Sequence, residues 1–319
     1  MPGSHPSPSN SPFSGPARRI GWIAVALSVP GAVTVVLASG MRTVAQSFLP
    51  VGLPAILLLA AHIVYARWRP DPRVVDATGL MAMMILACML AAVISHAGLR
   101  LRFPYVDESL AAADRAMGFG TPRLALKLAL SPVWGNWLAA AYVSSFPAAF
   151  LLALALSLTQ RAERAWELAA AFSACILAAA AASVFWPAIG SMVYHAVDGT
   201  KGLPPGSGNY HLAAVAYYRS GDAPSLDMAR FSGIVTMPSF HMILALIVPF
   251  ALRGTGWPFQ AALLWCAVVT LSTIGIGGHY VVDLIAGVVL WAGVAWCTRG
   301  CIFPEGTLKG PRNAVLSVP

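Results

Sequence analysis

The 319-residue chain is 58% hydrophobic and only 10% charged, with a mean hydropathy of +0.72, a composition that excludes a water-soluble globule. The net charge of +8 does not mark a nucleic-acid binder, because the basic residues fall in short clusters between apolar segments and not on one polar domain. The expected solvent is a bilayer, and the expected fold is an all-α, polytopic membrane helical bundle.

Residues 1–19 form a Pro-, Ser- and Gly-rich tail with too little apolar surface to fold, and disorder is expected there. Arg18 and Arg19 and the apolar stretch ending near Ala38-Ser39-Gly40 have the outline of a signal peptide. The stretch is long for one, so a retained first helix is expected. Apolar runs of roughly the length a membrane span requires then recur at 21–39, 45–66, 76–98, 133–158, 166–187, 234–252, 257–276 and 280–299, which predicts eight helices. The first two of these, within 20–75, precede a core at 76–300, and 301–319 is a C-terminal tail.

Between the third and fourth runs, Asp107, Glu108, Asp114, Arg115, Arg123 and Lys127 alternate with Leu and Ala, which predicts an amphipathic segment lying along the surface. Turn signals at Arg69-Pro70-Asp71-Pro72 and at 253–258 make neighbouring helices antiparallel. The long polar connection at 188–233 is expected to be functional. Eight crossings put Arg18, Arg19, Arg67, Arg69, Arg73, Arg161, Arg164, Arg253, Arg299, Lys309 and Arg312 on one side, hence both termini in the cytoplasm and the long connection facing outward. Four cysteines lie inside apolar runs and Cys301 just after the last, so no disulfide framework is implied.

The polar groups that stand out are His241, at the start of the sixth run, and His279 and Asp283, at the start of the eighth. Two antiparallel crossings bring the histidines to similar depth, and a spacing of four lets the Asp283 carboxylate orient the His279 ring. Ionisable groups clustered at one level near hydrocarbon are costly and point to function, whereas the lone His62 and His96 read as interhelical hydrogen bonders. From these residues alone three uses stay open: acid–base and nucleophilic catalysis, metal binding in an intramembrane metallohydrolase, and proton or ion passage in a transporter or channel.

Pro238-Ser239-Phe240-His241 resembles the second motif, and His279-Tyr280-Val281-Val282-Asp283 the third motif, of the type 2 phosphatidic acid phosphatase superfamily. The His-Tyr-x-x-Asp form, followed by Leu284-Ile285-Ala286-Gly287, is most similar to the branch containing inositol phosphorylceramide synthases and sphingomyelin synthases. The resemblance covers about 76–299 and implies a six-helix core acting as a lipid phosphatase or phosphotransferase without metal or other cofactor. It implies that His279 attacks phosphorus, that Asp283 orients it, that His241 protonates the leaving alkoxide and then serves as base, and that Ser239 and Tyr280 help bind substrate. The implied partners are a membrane lipid and an alcohol or lipid acceptor.

Three departures accompany the resemblance: no Lys and Arg-Pro first motif, Ser272-Thr273 where a Ser-Arg pair opens the third motif, and Phe240 in place of a glycine. The phosphate's counter-charges then fall to Lys201, Arg219 and Arg230 in the long connection, or to the starts of the sixth and eighth helices, where Gly275, Gly277 and Gly278 would permit close approach. Tyr194, His195, Tyr210 and His211 read as interfacial anchors. Abundant alanine and 17 arginines against 3 lysines suggest a GC-rich bacterial genome, and hence an inner-membrane protein with its site toward the periplasm.

Overall fold

The computed structural model describes residues 15–69, 71–129, 131–159, 161–197, 202–220, 224–234 and 237–300. The two tail expectations therefore lie almost wholly outside the described residues. Twelve helices are described: α1 (Pro16–Ser39), α2 (Leu49–Arg67), α3 (Pro72–Leu99), α4 (Asp107–Ala116), α5 (Thr121–Leu128), α6 (Pro132–Leu158), α7 (Ala162–Phe185), α8 (Ser191–Tyr194), α9 (Leu212–Arg219), α10 (Phe240–Ala251), α11 (Trp257–Gly275) and α12 (Val281–Gly300). Seven of them are long and apolar enough to cross a membrane, so the bundle is all-α and polytopic as composition predicts.

Local chemistry sets several of the boundaries. Pro72 occupies the first turn of α3, where its missing N–H costs nothing, and the Asp71 carboxylate accepts from Arg73 N and Val74 N. Gly40 ends α1 in the left-handed conformation at φ 64°. The sixth apolar run departs from expectation, because only Phe240–Ala251 is helical, a 12-residue helix about 18 Å long. Pro238 disfavours helix in the residue before it, and the extended Ser239 starts the helix by accepting from Met242 N. Ile234, ahead of it, is buried in a cluster with Ala97, Leu99 and Tyr218.

α3 and α7 form the centre of the core. Ala87, Ala91, Ala169, Ala170 and Ala180 are buried there, and such small side chains let helices approach closely where no water drives them together. At the arginine-rich end, Arg18 of α1 pairs with Asp76 of α3 and lies 4.4 Å over the Trp166 ring of α7, while Trp166 Nε1 donates to Asp76 at 2.9 Å. At the opposite end a two-residue parallel bridge, β1 (Arg42–Thr43) with β2 (Ser225–Leu226), ties the α1–α2 turn to the long connection.

α4 and α5 do not simply lie along the surface. Asp107 and Asp114 are each 2% exposed and turn inward toward backbone donors at the start of α12 and in the 187–190 loop. Buried N–H groups must find acceptors, and these two acids supply them.

Candidate active site

The site is assembled on two helix starts. Before α12 the chain turns at Gly278, whose φ of 71° suits glycine and where a Cβ would stand 2.9 Å from the Gly208 backbone. His279 is therefore not on the helix face but just outside it, 2% exposed. Asp283, in the first turn, folds back: its Oδ2 accepts from Tyr280 N at 3.0 Å and lies 3.3 Å from His279 Nδ1. The carboxylate thus caps the helix and orients the imidazole at once, and Nδ1–H toward Asp283 leaves the lone pair on Nε2.

That Nε2 faces α10. Ser239 Oγ is 3.4 Å from it, and Ser239 N donates to the Asp283 carbonyl at 3.0 Å, a contact allowed because a Cβ on Gly287 would meet Ser239 O at 2.6 Å. His241, two residues further along α10, stacks on the Tyr142 ring with centroids 3.8 Å apart and planes 14° apart. The same tyrosine lies against the 277–279 turn: a Cβ on Gly277 would be 2.8 Å from the His279 ring and 3.0 Å from that of Tyr142. His241, Tyr142 and His279 therefore share one chamber. No hydrogen bond engages the His241 ring nitrogens among the described residues, which leaves them open to a ligand.

Four residues outside the two motifs complete the surroundings of the chamber. His211 is 1% exposed, donates Nε2–H to the Ile189 carbonyl at 2.9 Å and feels the His279 charge. Burial holds its pKa below the usual histidine value, the Ile189 bond opposes this and His279 adds to it, so neutral imidazole is favoured. It is no interfacial anchor. Tyr210 bonds Tyr142 hydroxyl to hydroxyl at 2.8 Å. Asp107 accepts from Ile189 N at 2.9 Å, Gly190 N at 3.0 Å and the Tyr280 hydroxyl at 3.1 Å, while Asp114 accepts from Val281 N at 3.0 Å and Val282 N at 2.9 Å. Burial pushes the Asp107 carboxyl above its usual range, with these donated bonds opposing.

The first N–H groups of α12 already meet carboxylates, and Tyr280 is fully buried with its phenol on Asp107. Of the expected counter-charges, Arg219 donates to the Phe103 carbonyl at 3.1 Å and covers the Tyr105 ring, and Arg230 lies 4.9 Å over Tyr217 and 3.9 Å from Asp227. Arg219 is thus engaged by the segment after α3 and Arg230 by the long connection itself, and Lys201 lies outside the described residues. Ser272 and Thr273 are wholly buried, their hydroxyls turned to the carbonyls of Val269 and Thr270 at 2.6 and 2.7 Å, where a guanidinium has no room.

Among the described residues no group of three His, Cys, Asp or Glu is arranged to hold a metal ion. Asp107 and Asp114 carried a readable signal, since a spacing of seven puts both on one helix face among alanines and leucines. Tyr142, in a uniformly apolar span, carried none. The family model of the PAP2 superfamily matches residues 108–297. No curated protein and no solved structure matches the chain.

Proposed function

Because the chain belongs to the PAP2 superfamily, we propose that it is a lipid phosphatase or phosphotransferase working through a phosphohistidine on His279. The observation that carries this is the His279 ring, anchored through Nδ1 to Asp283 and presenting Nε2 to Ser239 in the chamber shared with His241.

The Nε2 lone pair attacks phosphorus of a lipid phosphate or phospholipid. The P–N bond forms as the P–O bond to the lipid alcohol breaks, and protonated His241 gives its proton to the departing oxygen. Asp283 stabilises the positive charge that the phosphorylated ring acquires. Neutral His241 then takes a proton from water or an alcohol as that oxygen attacks phosphorus, and the P–N bond breaks. Ser239 Oγ, which occupies the approach to Nε2, turns to a phosphate oxygen when substrate arrives. The phosphate's charge is met by protonated His241 and by the N–H groups of Phe240 and His241 at the start of α10, which have no partner among the described residues.

The His-Tyr-x-x-Asp form supports placement with the phosphotransferases that resemble inositol phosphorylceramide synthase. Tyr280 gives that form a physical role, because its phenol couples the motif to Asp107. The site lies at the end of the bundle away from the arginine clusters, which supports an inner-membrane protein acting at the periplasmic face.

The test is turnover by purified protein in detergent on phospholipids and lipid phosphates, with and without alcohol acceptors. His279→Ala and His241→Ala are each expected to lose about 100-fold or more in kcat. Wild type should accumulate an acid-labile phosphoenzyme that His279→Ala lacks. Retention of wild-type turnover by His279→Ala would overturn the assignment.

A further inference from the structure

Beside the reacting groups lies a partly open cavity of about 490 Å³, lined by α2, α3, α6, α7, the start of α10, Tyr210 and residues of the 228–234 segment. Its walls include Ala91, Ala92, Ala179, Ala180, Phe146 and Phe240, and it ends on the His241 ring. Among the described residues, no Lys, Arg, Asp or Glu lines it. All of these residues belong to the helix halves nearest the histidine end. The void exists because alanines occupy facing positions on α3 and α7, where any longer side chain would fill it. Phe240, the residue that replaces the motif's usual glycine, packs its edge on Phe146 and Phe172 and forms the wall beside the chamber.

The roof is the chain at 228–234, and it is held in place. His96 keeps Nδ1–H on the Ala92 carbonyl at 2.7 Å, which leaves Nε2 to accept from Ser232 N at 3.2 Å, and its ring stacks on Phe231 at 4.2 Å. Met228 N donates to Ser47 Oγ at 3.0 Å, so the turn before α2 also braces the roof. A membrane histidine is thus used to close a chamber at its top.

We propose that this cavity seats one hydrocarbon chain of the lipid whose phosphorus His279 attacks, and that α2 and α3, upstream of the segment shared with the superfamily, select which chains are accepted. The proposal rests on the phosphotransfer reading above. Continuity argues for it: the residue assigned to protonate the leaving lipid alcohol is also the cavity's end wall, so a lipid reacting there has its hydrocarbon at this opening. Size argues for a single chain. A cavity of about 150 Å³ takes up one benzene ring, so 490 Å³ holds roughly three times that bulk, near one eighteen-carbon chain. Val51, Cys88, Met89 and Ala91 supply part of the wall, and all four precede residue 108, where the family match begins.

The experiment measures kcat/KM for single-chain alkyl phosphates of about six to about eighteen carbons on full-length protein in detergent, since each buried methylene adds about 0.8 kcal/mol of binding. Wild type should gain with chain length. Ala92→Phe and Ala179→Phe should each lose about tenfold or more on the longest chains and less than about twofold on the shortest. Val143→Phe, on an exposed face of α6, should follow wild type throughout. Photolabelling of wild type with an alkyl phosphate bearing a terminal diazirine keeps the test independent of how the variants fold, and label is expected within 88–96 and 176–180. Equal losses at every length in both Phe variants, or label confined to the outer faces of the helices, would overturn the proposal. Absence of phosphate release from every substrate by wild type would instead defeat the phosphotransfer reading itself.

Discussion

The two ends of the bundle solve the same problem, charge near hydrocarbon, in opposite ways. At the arginine end, cations meet anions: Arg18 pairs with Asp76, and Arg253 pairs with Glu167 at 2.6 Å while Arg164 donates to the Arg253 carbonyl at 2.7 Å. At the histidine end, Asp107 and Asp114 meet neutral donors, chiefly backbone N–H groups, and Asp283 meets Tyr280 N and the His279 ring. Ion pairs are self-contained and leave little for a ligand. Carboxylates engaged by backbone N–H groups and by one edge of a ring leave His279 Nε2 and the His241 ring nitrogens available to a ligand.

The largest test of this contrast is Asp283→Asn. An amide can still accept from Tyr280 N but no longer selects the His279 tautomer, and the expected loss is on the order of 10³ to 10⁴ in kcat with melting temperature retained. A drop below tenfold would show that the carboxylate is only a helix cap. Next comes Asp114→Ala, which strips Val281 N and Val282 N of their acceptor; about 1–3 kcal/mol of stability should be lost in thermal denaturation, with kcat falling as the His279 turn loosens. An unchanged melting temperature would mean that water replaces the carboxylate without cost.

A smaller, pH-dependent effect follows from His211. Its folded pKa lies below that of the unfolded chain, so the unfolded state binds the extra proton, and the stability from burying neutral imidazole is complete above about pH 6.5 and is lost as pH falls toward the folded value. His211→Gln can still donate to the Ile189 carbonyl, and its melting temperature should vary less than that of wild type below about pH 6.5. The smallest effect belongs to the arginine end: Arg253→Gln removes a partly exposed ion pair worth about 0–1 kcal/mol and should leave kcat unaltered. A large loss of activity there would erase the distinction between the two ends.

Much of the bundle was legible in the sequence, because span length and helix breaks are local properties. The run expected at 257–276 is α11 at Trp257–Gly275, and that expected at 133–158 is α6 at Pro132–Leu158. Pro238 and the glycines before His279 likewise announced where two helices begin. The shortness of α10 was obscured because Ile234 extends the apolar run without being helical, composition being blind to whether an apolar residue crosses hydrocarbon or packs under a roof.

Composition and motif thus determined the solvent, the all-α class and the histidines to watch. Tertiary structure alone decided that Asp107 and Asp114 cap elements far along the chain, that Tyr142 stacks on His241, that His211 joins the chamber and that facing alanines leave a void. The physical reason is that hydrophobic length is written residue by residue, whereas a buried donor requires only some acceptor, and which one it receives depends on the packing of every helix between them.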